Sequence, residues 1–294
     1  MARELLPHQI VERSLMKTYR KTIWHPFVLA CREYDLLAPG DRIAVCVSGG
    51  KDSFLLAKLM QELEKHTDVP FETVFLCMDP GYKPENRRRI EENAALLHLP
   101  LTIFETNVFS VAESESPKNP CYLCAKMRRG CLYKKAQELG CNKIALGHHF
   151  DDVIETTLMS LFYSSEMRTM IPKLHSLNYP GMELIRPLYR VREHDIQNWA
   201  AYNRLEFLQC ACSFTEGIAR CEDEMTSKRQ EVKALIRTLK ETTPDIDRSI
   251  FNAAHNVCLD TLPGFNFRGE DHTFLDYYHD PEAELSPDER NVST

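Results

Sequence analysis

No stretch of this sequence strings together the roughly 18 apolar residues that a membrane-spanning helix needs. The first residues, Met1-Ala-Arg-Glu-Leu-Leu-Pro, lack the apolar core of a secretory signal. Both absences point to a cytoplasmic protein with no membrane partner. Internal repeats and low-complexity segments are missing too. What remains is an ordinary soluble composition, 43% hydrophobic and 27% charged over 294 residues. That length can bury one large core or two modest ones. Without a secretory signal, the 11 cysteines are not expected to form a disulfide framework. Metal or sulfur chemistry is the expectation for those that cluster, whereas Cys46, Cys77 and Cys258 sit in apolar runs and read as small core residues.

The net charge of −7 argues against a nucleic-acid partner until its distribution is read. Residues 265–294 hold eight acids and two bases, so this tail alone carries −6 and the rest of the chain is near neutral. Residues 117–137 instead carry Lys118, Lys126, Arg128, Arg129, Lys134 and Lys135 with no acid, a local patch suited to phosphate. The end of the chain, acidic and proline-containing, is expected to be weakly ordered.

Residues 8–38 read as helical, with Pro26 breaking or kinking the run. From Arg42 onward, strands alternate with helices. Strands are expected at 42–47, 72–78, 101–104, 143–146 and 184–187, and helices near 84–97, 125–139, from Asp151 or Asp152 as cap to Tyr163, at 193–202 and at 222–239. This pattern predicts an α/β fold, a parallel sheet of five strands with helices on both faces and extra N- and C-terminal helices. The expected divisions are an N-terminal helical segment (1–40), a nucleotide-binding domain with the cysteine cluster (41–215), a C-terminal helical region (216–264) and an acidic tail (265–294).

Three clusters carry chemistry. Ser48-Gly49-Gly50-Lys51-Asp52-Ser53 joins a buried strand to an amphipathic helix. Its glycines let the backbone approach a ligand, the helix N-terminus attracts an anion, and Ser48, Ser53 and Lys51 add donors and charge. It is not the usual P-loop, because Val45 and Asp52 stand where a glycine and a Ser or Thr would be needed. Gly147-His148-His149-Phe150-Asp151-Asp152 follows another strand on the same sheet edge, and carboxylates at a helix start can hold Mg²⁺. Cys121-Tyr-Leu-Cys124 puts two thiolates within reach of one metal, with Arg128 and Arg129 beyond. Cys210-Ala-Cys212, with Cys221 further on, offers more thiols. Spacing alone leaves zinc, an iron–sulfur cluster and a redox disulfide open.

Ser48–Ser53 resembles the PP-loop of ATP pyrophosphatases. Together with Cys121–Cys124, Arg128-Arg129-Gly130, Gly147–Asp152, Arg186-Pro187-Leu188 and Arg192-Glu193-x-Asp195-Ile196, it resembles the tRNA 2-thiocytidine synthetase family over about residues 38–225. The resemblance implies an adenine nucleotide alpha hydrolase-like fold and an ATP-dependent transferase that puts sulfur on C2 of a cytidine in the tRNA anticodon loop, at position 32. It implies ATP, Mg²⁺ and a [4Fe-4S] cluster as cofactors. Cys121, Cys124 and Cys210 would ligate the cluster, with Cys212 as the alternative third ligand, because the family shows a second Cys-x-x-Cys where this chain has Cys-x-Cys. ATP would meet Ser48, Gly49, Gly50, Lys51, Asp52 and Ser53, with Gly147 and His148 nearby and adenine by Met78 and Asp79. Catalytic roles would fall to Lys51, Asp52, Arg128, Asp151 and Asp152. Partners would be tRNA, approaching over 117–137 and the N-terminal helices with Tyr122 or Phe150 stacking on the base, a cysteine desulfurase as sulfur donor, and a second copy of the chain. Other readings are a PP-loop ligase or thiolase for another tRNA base or a small molecule, and a zinc-stabilised nucleotide-binding protein without turnover. The cluster reading predicts that Cys121→Ala loses iron and thiolation but keeps ATP binding, as measured by iron content, visible absorbance and ATP titration.

Overall fold

The computed structural model describes residues 5–115, 120–208 and 223–278. The chain divides into two compact units, Met1–Asp247 and Arg248–Thr294. Among the described residues no helix is long and apolar enough to cross a membrane.

The first unit is built on a six-stranded sheet ordered β3-β2-β1-β4-β6-β5. Its strands are β1 (Arg42–Cys46), β2 (Glu72–Asp79), β3 (Leu101–Glu105), β4 (Lys143–Ala145), β5 (Lys173–His175) and β6 (Glu183–Ile185). The five expected strands are all present and all parallel, with Ala44 in register with Val74 on one side and Ile144 on the other. The sixth, β5, was not expected. It pairs antiparallel with β6 at the edge, and three residues are too few to show an alternating pattern.

Strand alternation sorts the core into two layers. Ile43, Val45, Phe75, Cys77, Ala145 and Ile185 face one cluster, whereas Ala44, Cys46, Leu76, Ile144 and Leu184 face the other. The first layer is filled by α3 (Lys51–His66) through Phe54, Leu55, Leu56 and Leu59, and by Trp199 of α8 (Glu193–Tyr202). The second is filled by Tyr133 and Ala136 of α6 (Pro120–Glu138). α6 starts five residues before its expected start, so Cys121 and Cys124 lie within its first turns. Proline is pre-set for a first helical position, which accounts for the earlier start at Pro120.

The N-terminal helices α1 (Pro7–Arg13) and α2 (His25–Glu33) are joined by two π-helical turns, Ser14–Thr18 and Arg20–Trp24. Pro26 does not break this run. It sits in the first turn of α2, directly after the π turn Arg20–Trp24. The Tyr19 hydroxyl donates to the Asn198 carbonyl at 2.9 Å, and the Asn203 side chain donates to Ser14 Oγ at 3.0 Å, which holds the π segment against α8.

α7 (Phe150–Tyr163) is capped by His149, not by Asp151 or Asp152. Asp152 lies at the third helical position and accepts from the His149 N–H at 3.0 Å. Three further helices, α4 (Pro84–Leu96), α5 (Val108–Glu115) and α9 (Asp223–Thr242), complete the unit. α10 (Ile246–Ala253) spans the division between the units. Weak order was expected for the last 25 residues or so, yet 270–278 are structured: β8 (Glu270–Thr273) pairs with β7 (Gly264–Phe267) in a hairpin, followed by α11 (Leu275–Tyr278). Phe265 stacks on His272 across the two strands at 4.9 Å. Cys46 and Cys77 are core residues as expected, but Cys258 is exposed.

Lys58 of α3 is fully buried, and its ammonium meets Glu12 at 2.6 Å, Gln61 at 2.7 Å, the Leu97 carbonyl at 3.2 Å and Glu62 at 3.5 Å. It ties α1 and the end of α4 to α3. Lys58→Ala removes the buried cation of this cluster and leaves the buried Glu62 to the half-exposed Lys65 at 2.7 Å, and is expected to cost about 3 kcal/mol in urea unfolding. Glu12→Ala should cost clearly less, since Glu12 is a quarter exposed and Lys58 keeps Glu62.

Candidate active site

The chain passes from β1 outward to β2 and β3, then returns to the other side of β1 as β4. Ligands of open α/β sheets bind outside the strand C-termini at such a reversal. A cavity of about 440 Å³ lies there. Ser48, Gly50, Asp52 and Ser53 line it from the β1 exit, Met78 from β2, and Gly147 and His148 from β4. α6 closes the opposite wall with Ala125, Arg128, Arg129, Leu132 and Tyr133, one helical face at i, i+3, i+4, i+7 and i+8.

The Ser48–Ser53 turn is held open for a ligand. Gly49 has φ +93°, a conformation that favours glycine. Gly50 caps α3 with no side-chain hydrogen bond, so no capping side chain takes up the N–H groups of the helix start. Ser53 Oγ donates to the Gly50 carbonyl at 2.8 Å and accepts the Ser48 N–H at 3.1 Å, which sets the loop's curvature. Gly147 allows the second strand exit to close in: a Cβ there would lie 3.1 Å from the Asp52 carbonyl carbon and 3.2 Å from Ser53 N. Two seryl hydroxyls, an open helix start and facing arginines are the donor set that nucleotide phosphates require.

Carboxylates surround this cradle. Asp52 lines the cavity and its Oδ1 is buried without a hydrogen bond among the described residues. Asp152 also lines it and takes an ion pair from Arg229 at 3.2 Å. His149 lies between them, 3.9 Å from Asp52 Oδ1 and 3.5 Å from Asp152 Oδ2. Oxygen donors of this kind suit Mg²⁺ alongside phosphate. Asp151, in contrast, is not part of the cavity wall. It accepts two bonds from Arg192, at 3.0 and 3.3 Å, and the Glu193 N–H at 2.7 Å.

Lys51 does not line the cavity either. Its ammonium lies 3.2 Å from Asp52 and 3.2 Å from Glu193, and these two acids raise its pKa although burial pulls it down. Glu193 also meets Lys233 at 3.1 Å. Burial pushes its carboxyl up, but Lys51 and Lys233 outweigh that and hold it down at about 2. Of the two residues expected beside adenine, Met78 lines the cavity. Asp79 instead holds the following turn, accepting from the Gly81 and Tyr82 N–H groups at 2.9 and 2.7 Å.

His148 is held neutral. Burial, reinforced by the Arg186 charge, lowers its pKa to about 4, and its Nδ1 has no hydrogen-bond partner among the described residues. Arg186 is itself pulled down to about 10 by burial, and its Nε lacks a partner among the described residues. Phe150 is not placed to stack on a substrate base. It is buried, and the Arg192 guanidinium covers its ring at 4.5 Å. Tyr133 is the aromatic residue in the cavity wall, stacked on Tyr179 at 4.8 Å with planes 5° apart. Its signal in the sequence is the four-residue spacing 125, 129, 133 on one helix.

Cys124 is buried among Val108, Phe109 and Ala112, one helical turn before Arg128. The Cys121 backbone lies one turn earlier still. Cys210 and Cys212 lie outside the described residues, as does the Tyr122 side chain, and among the described residues no three metal-ligating side chains converge. The chain is last described before them at Leu208, whose N–H donates to the Gly49 carbonyl at 3.1 Å. Two thiols at i and i+3 of one helix are soft donors suited to iron–sulfur or zinc.

Behind the cavity, Glu155 of α7 lies 3.7 Å from Arg229 and 3.5 Å from Lys233. Burial nevertheless raises its pKa to about 7. Its folded pKa lies above the unfolded value of 4.5, so its contribution to stability is complete below about pH 4.5 and is lost as pH rises through 7. Glu155→Gln should remove that slope: thermal melts are expected to match wild type near pH 5 and exceed it at pH 8.

The PP-loop domain family model matches residues 10–220. The tRNA-cytidine(32) 2-sulfurtransferase of Alkalilimnicola ehrlichii is 38% identical over 85% of this chain and 78% of its own length. That of Shewanella sp. (strain ANA-3) is 32% identical over 98% of this chain and 88% of its own. Among solved structures, the U34-tRNA thiolase NcsA from Methanococcus maripaludis with its [4Fe-4S] cluster shares the fold, with a TM-score of 0.62 at 20% identity over 79% of this chain and 76% of that one. A PP-loop at the sheet's switch point, and relatives that align along nearly the whole chain, place this protein in the PP-loop family and, within it, among the tRNA-cytidine(32) 2-sulfurtransferases.

Proposed function

We propose that this chain is an ATP-dependent tRNA sulfurtransferase that activates C2 of cytidine 32 as an adenylate and replaces its oxygen with sulfur. The observation that carries this reading is the double role of α6. Its first turns bear Cys121 and Cys124, and its next turns line the phosphate cavity with Arg128 and Arg129. Arg128 lies four positions after Cys124, about 6 Å along the axis. A ligase that joins an amine to the activated base would leave that cysteine pair unexplained.

In this reading ATP seats its phosphates on Ser48, Gly50, Ser53 and the start of α3. The C2 oxygen of the cytosine attacks the α-phosphorus. A C2–O–P link forms, the bond to pyrophosphate breaks, and C2 becomes electrophilic. Arg128 and Arg129 face the charge that grows on the leaving phosphates. Lys51, held beside the cavity by Glu193, adds a positive field from behind the loop. Asp52 and Asp152 are the residues that would hold Mg²⁺. Hydrosulfide then adds at C2, the C2–O bond breaks, AMP leaves with the original oxygen, and the hydrosulfide proton is released. Splitting the exchange makes AMP, rather than oxide, the leaving group.

A [4Fe-4S] cluster held by Cys121, Cys124 and Cys210, or Cys212 in its place, would supply that sulfur. The donor chemistry of the α6 pair supports it. The family resemblance supports a cysteine desulfurase as the source of sulfur, a homodimer and a cytoplasmic setting. His148, neutral at physiological pH with Nδ1 unpartnered among the described residues, offers the reacting groups a polar contact that adds no charge.

Nucleosides digested from the tRNA of a deletion strain test the reading by mass spectrometry. Loss of 2-thiocytidine, restored by the wild-type chain, is expected; intact 2-thiocytidine in the deletion strain overturns it. In purified protein, Arg128→Ala should slow tRNA-dependent AMP release about 100-fold.

A further inference from the structure

A second cavity, of about 770 Å³, lies at the other end of α3. Its apolar lining includes Trp24, Val28, Leu63 and Val69, and Arg20, Arg32 and His66 stand among its walls with the carboxylates Asp35 and Asp68. α3 runs from Lys51 at the phosphate cradle to His66 at this cavity, about 24 Å. A nucleotide bound at one end cannot touch the other, so the two cavities are separate sites.

The layer around this second cavity is cationic on a chain whose net charge is −7. Arg13, Lys17, Arg20, Lys21 and Arg32 are all exposed, and none forms an ion pair with a described residue. The two described glutamates of the layer are both engaged, Glu12 with Lys58 and Glu33 with Arg190. Arg13, Lys17 and Lys21 recur at four-residue spacing through the π-helical turns, so their charges form a stripe rather than converging on one point. Helical turns of this wide kind are uncommon and concentrate at functional sites. Trp24 ends the second π turn, half-buried beside Phe27 and open to the cavity.

We infer that this N-terminal layer is a second RNA-binding surface, holding the phosphate backbone of the same tRNA whose base enters the catalytic cavity; the inference rests on the tRNA reading of that cavity. A strung-out row of unpaired cations fits a polyanion and not a single small anion. An indole between Arg20 and Arg32 is the platform on which an unpaired base stacks. The acids elsewhere on the chain repel RNA, so a polyanion is directed to faces such as this one, where cations stand without acid partners.

Titration of the full chain with a full-length tRNA transcript tests this. The variant carrying both Arg20→Glu and Lys21→Glu should bind tRNA at least tenfold more weakly. Its plot of log affinity against log salt should flatten by roughly two, with ATP affinity unchanged. Trp24 and Trp199 are the only tryptophans, and Trp199 is fully buried. Fluorescence quenching by tRNA is therefore expected in wild type and lost in Trp24→Phe. A wild-type chain that binds no tRNA would overturn the sulfurtransferase reading itself. Wild-type binding that survives the double charge reversal would overturn the second surface alone. So would a double variant that keeps tRNA but no longer binds phosphatidylserine vesicles, which would give the layer to a membrane surface.

Discussion

The close approach of two strand exits is the constraint on which the rest of the site depends. Gly147 leaves β4 so near the first turn of α3 that a Cβ would press on the Asp52 carbonyl group and the Ser53 nitrogen. That contact brings the open helix start, the His148 imidazole and the Asp152 carboxylate to one cavity, though they come from segments about a hundred residues apart. The sheet supplies the alignment, since β1 and β4 are hydrogen-bonded neighbours in parallel register. Larger side chains at position 147 would separate the exits, and the cavity would lose its shape before any charged group was removed.

Around that contact, charge is arranged as a chain of alternating sign. Lys51 meets Glu193, Glu193 meets Lys233, Lys233 meets Glu155, Glu155 meets Arg229, and Arg229 meets Asp152. The chain starts behind the phosphate loop and returns to the cavity wall, and it joins α3, α7, α8 and α9. It explains why two glutamates near one another behave oppositely. Glu193, with a lysine on each oxygen, stays ionised far into acid, whereas burial dominates Glu155. It also explains why Lys51, expected in the cavity, is turned to a neighbouring carboxylate; Asp151 is drawn off separately, by Arg192. A buried charge is stable only where another charge answers it.

The strands, the phosphate loop and α8 were legible because each is a local pattern: an apolar run, a glycine pair, a period of 3.6. β5 escaped because it has three residues and no alternation. The cap of α7 was misassigned to an aspartate because propensity favours Asp at that position, whereas the fold uses His149 and turns Asp152 back to its N–H. Phe150 looked available because a sequence does not show that Arg192 lies over its ring. Tyr133 was overlooked for the converse reason: its role appears only when α6 is seen as one helix whose face closes the cavity. The charge chain was illegible altogether, since its members are scattered between positions 51 and 233.

That α6 is a single uninterrupted helix has a consequence for how this chain can change over time. Along a helix each residue turns the next by about 100°. Replacing a residue between Cys124 and Arg128 leaves the thiols and the guanidinium groups at the same relative bearing. Adding or removing one swings the cysteines a quarter turn or more around the axis from the wall that Arg128 and Arg129 build. The spacing between sulfur-handling and phosphate-handling residues is therefore counted in whole residues, and this stretch can vary in composition far more freely than in length.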